Sequence, residues 1–379
     1  MHFDILIFNF SVLPKLFAKK FLGIDVGTSS IRIVELEAAG QKFSLSNYGQ
    51  IDVGLVESDA FDQAKNAAAF SADETVQMIQ TVLAEAKIKT RQCAFSIPDF
   101  STFFTAFSLP PMTEKELPAA VMFEARQHIP LPMESVTVDW QLVGGEFGKS
   151  EKLEVTVAAI PNEVIALYQE IAAKAKLQII LLEAEIFGLC QALVAKDEAR
   201  AICLVDIGAQ STVCSLIEKQ VLRYSHSFDR GRNYLVEEII KRLPINPETA
   251  RDIRSRGLNL FFMIDPETKR KAKDLLRESL IPVFKEIEVM MGDYRRLTGS
   301  EAAKIIVSGG TGAILETKEL FADYFKKEIE IADPFKDIYC RAGLESELKN
   351  IGPAYAVAVG MAQRGFKFSK RNKNKPMKN

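Results

Sequence analysis

The chain has 379 residues, 47% of them hydrophobic and 26% charged, with a formal net charge of −2. That length can hold two domains with separate cores, the composition excludes a disordered chain, and the charge excludes a globally basic nucleic-acid binder. Cys93, Cys190, Cys203, Cys214 and Cys340 include no CxxC pair and read as reduced core thiols, and His2, His128 and His226 have no metal-ligand spacing.

Along the chain, Phe3 to Phe17 is apolar but interrupted by Asp4, Asn9 and Pro14, and it is too short for a bilayer-spanning helix. It lacks the basic start of a signal peptide. Two readings of this extension, 1–19, stay open: an interfacial segment or an over-extended translation start. Next, Phe21-Leu22-Gly23-Ile24-Asp25-Val26-Gly27-Thr28-Ser29-Ser30 is an apolar strand running into Asp-x-Gly and hydroxylic residues, followed by alternating strands over Ile31–Glu37 and Phe43–Asp52. A polar, alanine-rich connection around Asp59–Ser71 leads to an amphipathic helix carrying Val76, Ile79, Val82, Leu83 and Ala86, and then to a strand over Cys93–Ile97. These elements form the first part of a first domain, 20–99.

From 100 to 181 the texture predicts an inserted α+β module in β-α-β-β-α-β order. Its elements are a strand over Thr102–Leu109, a helix capped by Thr113 and Glu116, a hairpin of Val136–Val143 and Lys152–Ile160, and a helix opened by Pro161-Asn162. Pro118 is poorly placed within the second turn of that helix and points to a shifted start. The apolar face of the second helix carries Val164, Leu167, Tyr168, Ile171, Ala172 and Ala175. Residues 182–199 return to the first domain.

The Asp-x-Gly pattern then recurs as Ile202-Cys203-Leu204-Val205-Asp206-Ile207-Gly208-Ala209-Gln210-Ser211, opening a second domain at 200–233. A helical block follows at 234–299. Its last helix places Leu276, Leu280, Val283, Ile287, Met290, Tyr294 and Leu297 toward a core, and Pro282 argues against a coiled-coil seam. Within 300–342, Lys304-Ile305-Ile306-Val307 reads as a buried strand ending in Ser308-Gly309-Gly310-Thr311-Gly312, where absent side chains let a flat base approach the main chain. A C-terminal helix, 343–366, is expected to pack on the first domain. Residues 367–379, rich in Lys, Arg and Asn, read as a disordered basic tail able to touch acidic lipid or a partner.

Either Asp-x-Gly turn alone is best read as an ordinary β-turn; its recurrence points to phosphate. Glycine lets backbone N–H groups approach an anion, and Thr28, Ser29, Ser30 and Ser211 add hydroxyl donors. An aspartate beside a polyphosphate needs a cation between them, so Asp25 and Asp206 indicate Mg²⁺ held through water.

In order, these three motifs resemble the phosphate 1, phosphate 2 and adenosine motifs of the actin, Hsp70 and sugar-kinase superfamily. Leu109-Pro110-Pro111-Met112-Thr113-Glu114, Phe123-Glu124-Ala125-Arg126-Gln127-His128-Ile129-Pro130, Ile331-Ala332-Asp333-Pro334-Phe335 and Gly352-Pro353-Ala354-Tyr355-Ala356-Val357-Ala358-Val359-Gly360 narrow the likeness. They resemble the PilM family of actin-like type IV pilus assembly proteins, relatives of FtsA, from about Lys20 to Phe366.

The resemblance implies an actin-like (ribonuclease H-like) duplicated two-domain α/β ATPase fold with an inserted α+β subdomain. It implies ATP and Mg²⁺ as cofactors, peripheral association with the cytoplasmic face of the inner membrane, and a groove for the cytoplasmic N-terminal peptide of PilN. Other pilus inner-membrane complex proteins are further expected partners. Carried over, phosphate contacts fall on Gly27, Thr28, Ser29, Ser30, Gly208, Ala209, Gln210 and Ser211. Base, ribose and neighbouring contacts fall on Gly231, Asn233, Arg254, Gly309, Gly310 and Thr311. Glu185 takes the position that can orient an attacking water.

Three departures bear on turnover. Val213 replaces an acid, Gly231-Arg232-Asn233 stands where relatives have Gly-Gly-Asn, and Arg251 replaces a frequent Glu. Arg232 and Arg251 read by default as solvated surface residues, with phosphate pairing as the alternative. Binding with weak or no hydrolysis is the resulting expectation. An FtsA-like division adaptor and a small-molecule kinase remain alternatives, and self-association is open.

Overall fold

In the computed structural model, which describes residues 20–40, 42–52, 70–256, 265–312 and 316–374, the two repeated hairpins seed two sheets. The first hairpin is β1 (Lys20–Val26) and β2 (Ser30–Ala39), extended antiparallel by β3 (Lys42–Asp52). Helix α1 (Ala72–Glu85) starts at Ser71, which forms a reciprocal capping box with Glu74. It carries the chain back so that β4 (Gln92–Ile97) lies parallel to β1, as a helical crossover requires.

Strand β5 (Phe103–Leu109), helix α2 (Leu117–His128) and strands β6 (Val136–Gly144) and β7 (Leu153–Pro161) follow, the strands forming a separate sheet in the order β5-β7-β6. Helix α3 (Asn162–Lys174) leads to β8 (Gln178–Ala184), parallel to β4, and to α4 (Glu185–Leu193).

The second hairpin is β9 (Ile202–Ile207) and β10 (Thr212–Glu218), extended by β11 (Val221–Phe228). Helices α5 (Arg232–Ile240), α6 (Pro247–Arg256) and α7 (Pro266–Thr298) precede β12 (Lys304–Ser308), which is parallel to β9. Helix α8 (Thr317–Phe325), strands β13 (Glu328–Ile331) and β14 (Ile338–Tyr339), and helix α9 (Glu345–Asn374) complete the described chain.

The large sheets run β14-β3-β2-β1-β4-β8 and β11-β10-β9-β12-β13. Apart from the two-residue β14, the second order repeats the first: two antiparallel neighbours, then two parallel crossovers. This is the duplication that the paired motifs predict.

Side-chain alternation with period two explains how the sheets are covered. On β9, Cys203, Val205 and Ile207 join the core beneath α5, α7 and α8, while Ile202 and Leu204 face the core continuous with the first domain. Val34 and Leu36 of β2 pack against Tyr355, Ala358, Val359 and Ala362 of α9. Glycine sets how closely α9 approaches. A Cβ at Gly23 would lie 1.8 Å from the Ala358 carbonyl oxygen, and one at Gly360 1.8 Å from that of Gly188 in α4. A buried fork from Arg364 to Glu183 ties α9 to β8, with Nη2 donating at 2.6 Å. All five cysteines are free thiols, four of them buried.

Several elements differ from the sequence expectation. Helix α3 packs in the first-domain core with α1, and β8 belongs to the first sheet. The separately cored insert is therefore the β5-α2-β6-β7 unit, with Leu109, Val121, Val155 and Val157 at its centre. Helix α2 starts at Leu117, because Pro118 fits only a first turn; Thr113 and Glu116 bond to each other in the preceding turn. Leu297 is 78% exposed, as α7 outruns the surface it packs on, whereas Leu276 through Tyr294 in the expected set are buried. Residues 367–374 are helical, not a disordered tail, with Phe368 buried and Phe366 edge-on to Phe43 at 5.7 Å. The 1–19 extension, most of the Asp59–Ser71 connection and residues 375–379 lie outside the described residues.

The glycines give a paired test. Gly360→Ala forces two backbones apart and is expected to cost about 1–3 kcal/mol. Gly292→Ala, on an exposed face of α7 with open space around it, is expected to add about 0.5–1 kcal/mol. Denaturant titration of both variants checks the pair, and equal effects would contradict the close-contact account.

Candidate functional site

Each hairpin turn closes by the same backbone bond. Gly27 N donates to Ser30 O at 3.0 Å, and Gly208 N donates to Ser211 O at 3.0 Å. A Cβ on either glycine would crowd that carbonyl, at 3.2 and 3.1 Å. The third turn is held by the long helix: Gly309 N and Ser308 Oγ both donate to Pro353 O, at 2.9 and 3.1 Å. Gly309 has φ +86°, and a Cβ there would lie 2.4 Å from Ile207 O, so this position requires glycine.

All three turns line one cleft. It gathers Asp25, Gly27, Thr28, Ser29 and Ser30 from the first turn, Asp206, Gly208, Ala209 and Ser211 from the second, and Gly309 and Gly310 from the third, with Glu185 at its side. The enclosed volume is ≈ 70 Å³, far below the roughly 300–1,000 Å³ of small-molecule sites. A nucleotide-sized ligand therefore needs this cleft to widen.

The remaining predicted residues stand outside the lining. Gln210 O accepts from Gly231 N, and Asn233 N donates to Ala209 O, both at 2.9 Å, so Gly231 and Asn233 seat α5 on the second turn. Thr311 is buried behind the third turn. Arg254 forks onto Glu237, at 2.6 and 3.0 Å, instead of reaching the cleft. Arg251 is exposed on α6, as its surface reading holds. Arg232 departs from that reading: it lines the cleft, and its Nη2 donates to Ser29 Oγ at 3.3 Å. The reason is its place at the first turn of α5, directly over the second glycine turn.

The electrostatics are unusual. Asp25 accepts from Ser96 Oγ at 2.9 Å and has Arg32 at 3.7 Å, yet burial raises its pKa. Burial pushes Asp206 up to about 6, with Asp25 adding to the shift and Ser308 and Arg32 opposing it. Asp99, 5% exposed, is pushed up to about 8, chiefly by burial. Glu185 rises through burial and the nearby charges of Asp99, Asp25 and Asp206, while its Oε1 accepts from Asp99 N at 3.0 Å. Four carboxyl groups thus converge where a cation would relieve their repulsion.

One residue of the cleft lining carries an orphaned atom: Arg32 Nε is buried without a hydrogen-bond partner, a costly arrangement in a finished core. Asp99 Oδ2, Asn233 Oδ1 and Thr311 Oγ1 are also unpartnered but lie outside the lining. Sequence reasoning missed Asp99 and Arg32, although both had positional signals. Asp99 follows the C-terminal end of parallel strand β4, where α/β sheets bind ligands, and Arg32 lies opposite Asp25 in the β1–β2 register.

The model of the family "Type IV pilus assembly protein PilM" matches residues 23–366. A solved PilM-PilN type IV pilus biogenesis complex is similar at 23% identity, with TM-score 0.76 over 93% of this chain and 99% of that one. The ethanolamine utilization protein EutJ from Carboxydothermus hydrogenoformans is 14% identical, with TM-score 0.53 over 93% and 92%. MreB5 of Spiroplasma citri bound to ADP is 12% identical, with TM-score 0.51 over 94% and 99%. These structures share the actin-like fold found here. With the family model covering nearly its whole length, this chain belongs to the PilM family of type IV pilus assembly proteins.

Proposed function

We propose that this chain is an ATP-binding scaffold of the type IV pilus inner-membrane assembly complex, peripheral on the cytoplasmic face, which binds the cytoplasmic N-terminal peptide of a PilN. The observation that carries the ATP reading is the convergence of both Asp-x-Gly turns and the Ser308-Gly309-Gly310 turn on one cleft. In this reading the turns at Gly27–Ser30 and Gly208–Ser211 hold phosphates, and Gly309 and Gly310 face the base. Asp25 and Asp206 hold Mg²⁺ through water. Among the described residues no set of three or more His, Cys, Asp or Glu is arranged to hold a metal directly, and magnesium in nucleotide sites keeps several waters.

Weak turnover fits the site. Glu185, the candidate for orienting water, has Oε1 occupied by the Asp99 amide and a raised pKa. Val213 places an apolar side chain on the cleft wall where relatives carry an acid. ATP then acts mainly by favouring one arrangement of the two domains, to the extent of its difference in affinity for them. The similar PilM-PilN complex supports PilN as the partner, and the similar MreB5 bound to ADP supports a nucleotide. Among the described residues no helix is long and apolar enough to cross a membrane.

Calorimetric titration with Mg-ATP tests the cleft. Asp25→Ala and Gly208→Asp are each expected to weaken binding at least about tenfold, through loss of the ion's water shell or a charge set against phosphate. Unchanged affinity in both folded variants would contradict the site. The insert carries a separate expectation. Phe123, 68% exposed on α2 beside Met122, is a candidate anchor for the peptide. Phe123→Ala is expected to weaken capture of a PilN N-terminal peptide by about tenfold while leaving ATP affinity unchanged.

The carboxyl cluster also sets a pH dependence. Asp99 titrates at about 8 and Asp206 at about 6 when folded, against about 4 when unfolded. Between those values the folded chain holds more protons, so stability is greatest below about pH 4 for these groups and falls as pH rises toward about 8. Without magnesium the melting temperature is expected to drop between about pH 5 and 8, and Mg-ATP to recover the loss at the upper end. A flat profile would contradict the clustering of charge.

A further inference from the structure

We propose that Arg232 is the residue by which this cleft distinguishes a nucleoside triphosphate from a diphosphate, its guanidinium closing on the terminal phosphoryl group opposite Arg32. The inference rests on the nucleotide reading above and deepens it.

Four observations carry it. The base of the side chain is fixed, since Arg232 N donates to Gly208 O at 2.8 Å and its neighbours Gly231 and Asn233 donate to Gln210 O and Ala209 O. The guanidinium extends from the second glycine turn into the cleft, where its bond to Ser29 holds it. Its position is central: Nη2 reaches Ser29 Oγ of the first turn at 3.3 Å, and Nη1 lies 3.6 Å from where a Cβ on Gly310 of the third would stand.

Its partners are the third observation. Among the described residues no carboxylate lies within ion-pair distance of Arg232; its Ser29 partner is neutral, and Asp52 favours its charge only from beyond that distance. Arg32 supplies the fourth. It lines the same cleft from the first domain with Nε unsatisfied, and its contact with Asp25 is long at 3.7 Å. Burial and the proximity of Arg32 oppose the charge on Arg232 and outweigh the opposite effect of Asp52. Two guanidinium groups turned on one space by two different domains repel each other unless an anion lies between them.

A planar guanidinium pairs with phosphate oxygens by paired N–H donors. The two glycine turns take the inner phosphates by backbone contact, and the arginine pair is left for the outermost one. Arg232 would exchange its Ser29 bond for that phosphoryl group, so the terminal phosphate reports directly on the approach of the two domains.

The test compares Mg-ATP with Mg-ADP by calorimetry on the full chain and on Arg232→Ala and Arg232→Lys, with thermal melts to establish folding. Arg232→Ala is expected to lower ATP affinity roughly ten- to hundredfold and ADP affinity by no more than about threefold, collapsing the preference between them. Arg232→Lys is expected to restore part of that preference. Equal losses for both nucleotides, or no loss in a folded variant, would overturn the inference and leave Arg232 a structural bridge to Ser29. Binding of neither nucleotide by the unaltered chain would instead sink the nucleotide reading. Should Arg232→Ala fail to fold, Arg232→Gln carries the same comparison with its own ATP-to-ADP ratio.

Discussion

Backbone contact between α9 and its neighbours determines where the two aspartate turns meet. Helix α9 lies against β1 at Gly23 and against α4 at Gly188 and Gly360, with no side chain between the main chains. From that seat its Pro353 carbonyl accepts two bonds from the third turn, in the other sheet. One helix thus fixes the first-domain sheet, α4 and the third turn relative to one another. The cleft follows from this placement, with the glycine turns after β1 and β9 lining a common space.

The content of that space follows from charge. Asp25, Asp99, Asp206 and Glu185 bring acid, Arg32 and Arg232 bring base, and of these the Asp25–Arg32 contact alone is within ion-pair distance among the described residues. Incompletely paired charges in a narrow cleft raise the energy of the protein by itself and lower it when a ligand of matching pattern enters. A magnesium-bound polyphosphate has that pattern, with the cation for the carboxylates and the anion for the guanidiniums. Glu185 lines the same cleft with its Oε1 engaged by the Asp99 amide.

The duplicated hairpins and the glycine turns were legible in the sequence because each depends on local chemistry. An Asp-x-Gly turn between alternating strands announces itself within ten residues, and two copies imply two sheets. Arg32 and Asp99 were hidden, and Arg232 was placed by default on the surface with phosphate pairing as the alternative, because their surroundings arise only when separate segments converge. Helix α3 carried the correct apolar face, yet nothing in its periodicity stated that the face meets α1 instead of the insert. Leu297 kept the spacing of buried neighbours in α7 beyond the end of the surface that buries them. The 367–374 segment failed in the opposite sense, since two phenylalanines among basic residues hold one more helical stretch against the first domain. Arg254, named by likeness, forks onto Glu237 across α5 and α6, a pairing that only the folded arrangement discloses.

A crystal structure of the chain with Mg²⁺ and a non-hydrolysable ATP analogue tests the central claim most directly. The account predicts one triphosphate seated between the Gly27–Ser30 and Gly208–Ser211 turns, with the ion's water shell reaching both Asp25 and Asp206. A nucleotide bound to one turn alone, or at a different surface with the two aspartates facing solvent or protein, would contradict it.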